Sequence, residues 1–130
     1  MWHQGETDAL LNVSYRKHCE NLLSLCKEIP RVCKNKQLPV IMGDLLPQWK
    51  QLNPKISKPV TEAMQTVCRQ RENCFFVHTD GLLSNNQKMG ADDRIHFCRE
   101  SLYELGKRYF AAFKKAVSGP TCRLAEEGEQ

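Results

Sequence analysis

The stretch that decides the fold is L-P-V-I-M-G at residues 38–43, a short continuous apolar run that ends in a glycine. A run of this kind is typical of a strand that is buried on both faces of a sheet. Two further apolar runs lie at residues 1–4 and 74–78, and helical patterns separate the three. Because strands that alternate with helices indicate crossover connections, we predict an α/β fold with a parallel sheet.

The helical patterns and the stretches between them complete this outline. The predicted helices cover residues 10–29, a segment that Ser57 caps, and residues 97–117, whereas residues 43–56 and 79–92 are predicted to be irregular. Pro30 ends or kinks the first helix, and Pro59 is tolerated in the first turn of the second. Gly106 weakens the last helix by about 1 kcal/mol relative to alanine, so we expect it to permit a close approach to the sheet.

Length and charge exclude several classes of protein. With 130 residues and 41% hydrophobic content, the chain is predicted to form a single domain over residues 1–120, followed by a flexible tail at 121–130. The net charge of +4 is scattered rather than collected into a stripe, so we expect no nucleic-acid partner. No apolar run approaches the roughly 18 residues of a membrane helix, and no secretion signal is visible.

The chain has seven cysteines, and three of them form a stripe. Cys19, Cys26 and Cys33 recur every seven residues on the apolar face of the first helix. This spacing predicts small, buried, reduced side chains and favours a reducing intracellular setting, although the compartment itself stays open. Paired C-x-x-C spacing is absent, so no metal site is predicted.

The residues D-R-I-H at 93–96 carry the clearest chemical signal. A carboxylate three positions before an imidazole, at the opening of a helical segment, can hold one ring nitrogen while the other faces a nucleophile. That arrangement is typical of the orienting acid and the base of a hydrolytic triad. The simpler interpretation is a capping aspartate beside a partly buried histidine.

Three motifs together resemble a known family. They are W-H-Q-G-E-T-D at residues 2–8, D-R-I-H-F at 93–97 and E-L-G-K-R-Y at 104–109. This combination resembles the sialate O-acetylesterase group of carbohydrate esterases, within the SGNH-type hydrolases. The resemblance implies a three-layer α/β/α, flavodoxin-like fold and the removal of acetyl groups from sugar hydroxyls by a serine, histidine and aspartate mechanism. An acetylated carbohydrate would be the substrate, and no cofactor would be needed.

The resemblance also implies a role for each matching residue. Asp93 would be the orienting acid and His96 the general base, while the amide of Gln4 would help to bind the oxyanion. Gly5 and Glu6 would shape the turn around Gln4. The family's nucleophile lies in a G-Q-S-N or G-D-S context near the start of its domain, and this chain has no such motif. We therefore expect an N-terminally incomplete esterase domain, inactive or nearly so by itself.

The sequence also leaves open further candidate residues and several interpretations of the incomplete domain. Of the six serines, Ser84 is the one candidate to test, because it lies in the long loop near His96, and Trp49 is a candidate for a sugar-binding pocket. If strands are missing, residues 1–4 form an exposed edge through which the chain could self-associate or pair. The chain would then be a fragment, a product of an internal start, one half of a complex or a degenerate product.

Two alternative functions can be distinguished from an esterase by different features. An inactive interaction module would keep the same fold but use its exposed sheet edge. An unrelated flavodoxin-like or nucleotide-binding domain would need a glycine-rich phosphate loop after a strand, and the lone Gly5 and Gly43 do not supply one.

Overall fold

A computed structural model describes residues 1–118, and its sheet is short and parallel. Strand β1, Val40–Gly43, pairs with β2, Cys74–Val77, with Val40 opposite Cys74. Trp2 adds a parallel bridge to Met42 on the other side of β1. Its N–H donates to the Ile41 carbonyl at 2.7 Å, and its carbonyl accepts from Gly43 at 2.9 Å. The α/β class with a parallel sheet is therefore confirmed.

Six helices surround these strands. They are α1 Glu6–Leu10, α2 Tyr15–Val32, α3 Pro47–Leu52, α4 Pro54–Gln70, α5 Asn85–Met89 and α6 Arg99–Val117. The predicted tail at residues 121–130 lies outside the described residues. No helix within residues 1–118 combines the length and the apolar character that crossing a lipid bilayer requires.

The sheet lies between two layers of helices. On one face, Ile41 lines a groove with α6, and Gly43 lies directly against Tyr109 of α6. A Cβ at Gly43 would lie 2.1 Å from the Tyr109 hydroxyl oxygen, so this position requires a glycine. On the other face lie α2 and α4, and together with the sheet they bury most of the core: Leu22, Cys26, Met42, Val60, Met64 and Val67.

The first predicted helix begins at Tyr15 rather than at residue 10, and a separate short helix, α1, precedes it. Asn12, with a φ of 53°, breaks the chain direction after α1, and Ser14 caps α2 by accepting from the Lys17 N–H at 3.2 Å. The prediction of one helix over 10–29 was therefore wrong. Pro30 lies inside α2, which continues for only two residues beyond it and ends at Val32.

The predicted irregular stretches contain short helices. The stretch at 43–56 contains α3 and the start of α4, and the stretch at 79–92 contains α5. Helix α4 begins at Pro54, three residues before the predicted cap. Ser57 is instead buried inside α4, and Pro59 lies beyond its first turn. Helices of five or six residues are too short to show a period, which is why the sequence did not reveal α3 and α5.

Two further expectations need correction. Of the cysteine stripe, Cys26 is buried and Cys19 is half-buried, but Cys33 is exposed because it follows the last turn of α2. Gly106 does not approach the sheet. A Cβ there would meet no atom within 4 Å, and the residue lines an open groove instead.

Candidate active site

The loop that follows β2 folds back on itself and presents Asp93 and His96 on its returning arm. Ser84 forms a backbone bridge with Phe97, and the Cys98 N–H donates to the Leu83 carbonyl at 2.9 Å. Between these arms lies α5, which Ser84 caps with a reciprocal capping box to Gln87. The loop is therefore a hydrogen-bonded unit, and the candidate pair lies before α6 rather than within it.

The imidazole of His96 and the carboxylate of Asp93 form the predicted pair. The His96 Nδ1 lies 3.1 Å from Asp93 Oδ1 and 3.2 Å from Oδ2. The His96 side chain is 77% exposed, and its Nε2 has no hydrogen bond to any of residues 1–118. A carboxylate only accepts, so the Nδ1–H must be the donor, which leaves the Nε2 lone pair free to take a proton.

Asp93 is held in its ionised form by several donors. The Asn85 side-chain amide donates to Oδ2 at 2.8 Å, and the backbone N–H groups of His96 and Ile95 donate to Oδ1 at 3.0 and 3.3 Å. These bonds, with that from Asn85 the strongest, lower the pKa of the Asp93 carboxyl to about 2. The Asp93 carboxylate thus stays charged whenever a neighbouring imidazole would need to be stabilised as its cation.

Gln48 of α3 ties this loop to the rest of the molecule. Its side chain hydrogen-bonds to the Ser84 hydroxyl and donates to Asn86 Oδ1 at 2.9 Å. Asn86 in turn donates from its backbone to the Asp93 carbonyl at 2.8 Å. Sequence reasoning missed Gln48, because its partners lie almost forty residues away and no local pattern marks it.

The N-terminal segment lies next to the same loop. The His3 ring packs edge-on against Phe97, the residue after His96, with 5.4 Å between ring centroids. Gln4 is exposed, whereas Gly5 is buried so closely that a Cβ would lie 2.6 Å from Val60 Cγ1. The Gly5 N–H donates to the Glu6 carboxylate at 3.1 Å. His3, which precedes the predicted turn residues, thus lies against the loop that carries the Asp93–His96 pair.

His3 has a structural partner of its own. Its Nδ1 lies 2.9 Å from the Tyr109 hydroxyl, which donates to the Trp2 carbonyl at 3.2 Å. Burial lowers the pKa of His3 and raises that of Tyr109, so both groups are held neutral near pH 7. This hydrogen-bonded chain fixes the N-terminal segment onto α6.

A buried carboxylate at the end of β1 was not foreseen. Asp44 is 3% exposed and forms an ion pair with Lys50. Its Oδ1 also accepts from the Leu45 N–H at 2.7 Å and from the Thr61 hydroxyl at 3.1 Å. The partners of Asp44 are the next residue in the chain, Leu45, and side chains of α3 and α4. We therefore interpret this cluster as a structural support of the turn between β1 and α3.

No serine in the described residues is placed as a nucleophile. Ser84 is fully buried and caps α5, which removes the candidate serine of the loop that carries His96. Ser57 and Ser101 are also buried, with the Ser101 hydroxyl accepting from the Leu83 N–H at 2.8 Å. The others cap a helix, lie exposed on α2 or end α6: Ser14, Ser24 and Ser118.

Trp49 lies in the hydrophobic core rather than in a pocket. Its side chain lies in α3, and the residue is only 6% exposed. A ring buried to this extent offers almost no surface to a sugar, so the structure places it as packing. Within residues 1–118, no group of three histidine, cysteine or acidic side chains is arranged to bind a metal ion.

An open apolar groove of about 700 Å³ runs along α6 beside the Trp2 edge of the sheet. Its lining includes Met1, Ile41, Phe97, Leu102, Phe110 and Phe113. Leu102 and Phe110, which both line this groove, are 54% and 59% exposed, so the groove presents large apolar side chains to solvent. We refer to this surface as the α6 groove. It reaches the candidate site through Phe97, which follows His96.

Comparison with known families places this geometry in context. The profile of the carbohydrate esterase family described as sialic acid-specific acetylesterase matches residues 1–115. The chain belongs to this carbohydrate esterase family. The match includes both the N-terminal turn and the loop with Asp93 and His96. A search of curated proteins gave no match to the chain.

Proposed function

We propose that this chain carries the histidine and the aspartate of an acetylesterase that removes acetyl groups from sugar hydroxyls. The proposal rests on the 3.1 Å contact between His96 Nδ1 and Asp93 Oδ1. In this contact the Asp93 carboxylate is held charged, and the His96 imidazole is exposed. His96 would be the general base, and Asp93 would orient it. The family supports the ester and carbohydrate classes, and the geometry supports these two roles.

The reaction would proceed in two acyl-transfer steps. His96 Nε2 would take the proton of a serine hydroxyl as that oxygen attacks the acetyl carbonyl, and would then give it to the departing sugar oxygen. Water would repeat the sequence to release acetate. Asp93 would stabilise the imidazolium in both steps, and the exposed Gln4 amide would donate to the oxyanion. Glu6, by holding the Gly5 N–H, would keep the turn in place.

The serine would come from a polypeptide stretch outside residues 1–118. None of the serines described here is both exposed and close to His96. The α6 groove and the Trp2 edge form one continuous surface beside the site, with apolar side chains and an open strand edge. We propose that the serine-bearing stretch packs there, adding a strand to the edge and covering Leu102 and Phe110.

The test is an assay of acetyl-ester hydrolysis on the chain alone and on the chain joined to a serine-bearing segment from its family. The chain alone should release no acetate above background, and a fluorophosphonate probe should label none of its serines. With the added segment, both acetate release and labelling of the added serine should appear, and His96→Ala should abolish the release.

Either of two results would overturn the proposal. One is turnover by the chain alone that disappears in His96→Ala, because this would require a nucleophile within the chain. The other is a joined protein that folds and labels but keeps its activity in His96→Ala. A matched control is His78→Ala, which removes an exposed histidine outside the pair.

The α6 groove also favours a second candidate function, a non-enzymatic interaction module. In that case the groove and the strand edge would bind a partner, or a second copy of the chain, without any chemistry. Failure of every serine-bearing segment to restore turnover, combined with concentration-dependent dimerisation that Phe110→Lys prevents, would favour this function over the esterase.

A further inference from the structure

Two buried cysteines from distant parts of the chain meet between α2 and β2. The sulfur atoms of Cys26 and Cys74 lie 3.4 Å apart, and the residues are separated by 48 positions in the sequence. Their exposed fractions are 0% and 5%. All six cysteines within residues 1–118 are free thiols, and this is the contact at which two of them share a hydrogen bond.

We propose that Cys26 and Cys74 form an oxidisable dithiol, at which a hydroperoxide converts the two thiols into a reversible disulfide that links α2 to β2. The sulfurs need to approach by little more than 1 Å to reach the bond length of about 2.05 Å. Because the two sulfurs are already in contact, no intervening group has to be displaced before they react. The proposal is independent of the esterase function.

The surroundings make Cys74 the sulfur that reacts first. The contact with Cys26 lowers the pKa of the Cys74 thiol and the positive charge of Arg71 lowers it further, whereas burial acts in the opposite direction. The same contact raises the pKa of Cys26, which therefore keeps its proton. Since the thiolate is the nucleophile and Cys74, unlike Cys26, borders a surface pocket, we assign the attack to Cys74 and the resolving step to Cys26.

Access to Cys74 is provided by an open surface pocket of about 380 Å³. Cys74 lines this pocket together with Cys68 and Gln65, whereas Cys26 does not reach it. Burial raises the pKa of Cys68 to about 12, which keeps that thiol protonated and slow to react. Cys74 therefore lies at the wall of an open pocket, which gives a small peroxide a short path toward this residue.

The oxidation balances in two steps. The Cys74 thiolate attacks one peroxide oxygen, the O–O bond breaks, and hydroxide leaves to take up a proton as water, giving a sulfenic acid at Cys74. The Cys26 sulfur then attacks the Cys74 sulfur, forming the S–S bond, and the sulfenic oxygen leaves as a second water. Two thiols lose two electrons and two protons in total, and hydrogen peroxide is reduced to two waters.

The test treats the full chain with a small excess of hydrogen peroxide, blocks the remaining thiols with N-ethylmaleimide and maps the peptides. Cleavage after Glu20, Lys27 and Arg71 separates Cys19 from Cys26 and places Cys74 in its own peptide. We expect a cross-linked pair containing Cys26 and Cys74, with a mass loss of about 2 Da that dithiothreitol reverses. The melting temperature should rise by on the order of 10 °C, because the disulfide closes a long loop.

The control variants separate this pair from the other thiols. Cys26→Ser should lose both the cross-link and the rise in melting temperature, whereas Cys33→Ser, which removes an exposed thiol, should keep both. If Cys26→Ser fails to fold, the wild-type peptide map decides alone. Three results would overturn the proposal. In the first, peroxide oxidises the exposed Cys33, but Cys26 and Cys74 can still be fully alkylated once the protein is unfolded. In the second, Cys74 forms a disulfide with Cys68, and in the third, Cys74 is oxidised to a sulfinic acid without any cross-link.

Discussion

Among residues 1–118, two histidine–aspartate pairs are hydrogen-bonded through Nδ1, and their surroundings are opposite. His18 Nδ1 lies 2.8 Å from Asp8 Oδ2, and His96 Nδ1 lies 3.1 Å from Asp93 Oδ1. The His18 side chain is 3% exposed and its Nε2 is buried without a partner among residues 1–118, whereas the His96 side chain is 77% exposed. A histidine–aspartate contact by itself therefore does not indicate catalysis. What distinguishes the candidate base is that its second nitrogen is accessible.

The largest expected effect is on activity. In the chain completed with a serine-bearing segment, His96→Ala should lower kcat by about 10²- to 10⁴-fold, because the general base is removed. The free energy of unfolding should change by less than about 0.5 kcal/mol, since the side chain is mostly exposed. Acetate release and urea denaturation measure the two quantities. A large loss of stability would mean that His96, like His18, is a structural residue.

His18→Ala should show the converse. Removing a buried ring and leaving Asp8 without its partner should destabilise the fold by roughly 2 kcal/mol. Under conditions in which the variant is folded, the kcat of the completed enzyme should stay within about twofold of the parent, because His18 is not the general base. Urea denaturation provides the first measurement, with His78→Ala as an exposed control. A fall in kcat without a loss of stability would contradict the distinction between the pairs.

Ser84→Ala tests how an exposed pair is kept in position. The hydroxyl caps α5 and also bonds to Gln48, so its loss should cost about 1–2 kcal/mol. Hydrogen exchange at the Asn85 and Asn86 amides should accelerate, because these N–H groups bond to the loop that carries Asp93 and His96. Ser24→Ala, at an exposed position of α2, should change neither quantity. Unchanged exchange in Ser84→Ala would show that the loop is fixed by other contacts.

The smallest expected effect concerns the charge of Asp93. A carbon NMR titration should give a pKa of about 2, and Asn85→Ala should move it upward toward the ordinary value near 3.9. Because the pKa is lowered in the folded state, the associated stabilisation is present above pH 4 and is lost as the pH falls through 2. An unchanged pKa in Asn85→Ala would show that the backbone donors hold the charge without the amide.

The two pairs also show how far the sequence could predict the structure. Asp93 and His96 are three residues apart, so a local pattern was enough to select them. Asp8 and His18 are 10 residues apart and meet only because the chain turns between α1 and α2. The pattern that predicted a helix from residue 10 runs across that turn, so the contact between Asp8 and His18 was not foreseen.

Contacts between residues that are distant in the sequence could not be predicted for the same reason. The positions of β1 and β2 followed from apolar runs, because burial on both faces leaves a local record in the sequence. The partners of Gln48 and the burial of Trp49 depend on how α3 docks, which no local pattern specifies. Likewise, the open surroundings of Gly106 follow from the packing of α6 and not from its own residues.

The central claim is that Asp93 holds His96 with its Nδ1 protonated and its Nε2 ready to accept a proton. Long-range ¹H–¹⁵N NMR of the neutral imidazole measures this directly, without a substrate or an added segment. The account predicts the Nδ1–H tautomer for His96, and a shift toward Nε2–H in Asp93→Asn, since an amide can hydrogen-bond to either ring form. A dominant Nε2–H tautomer in the unmodified chain would contradict the assignment of His96 as the general base.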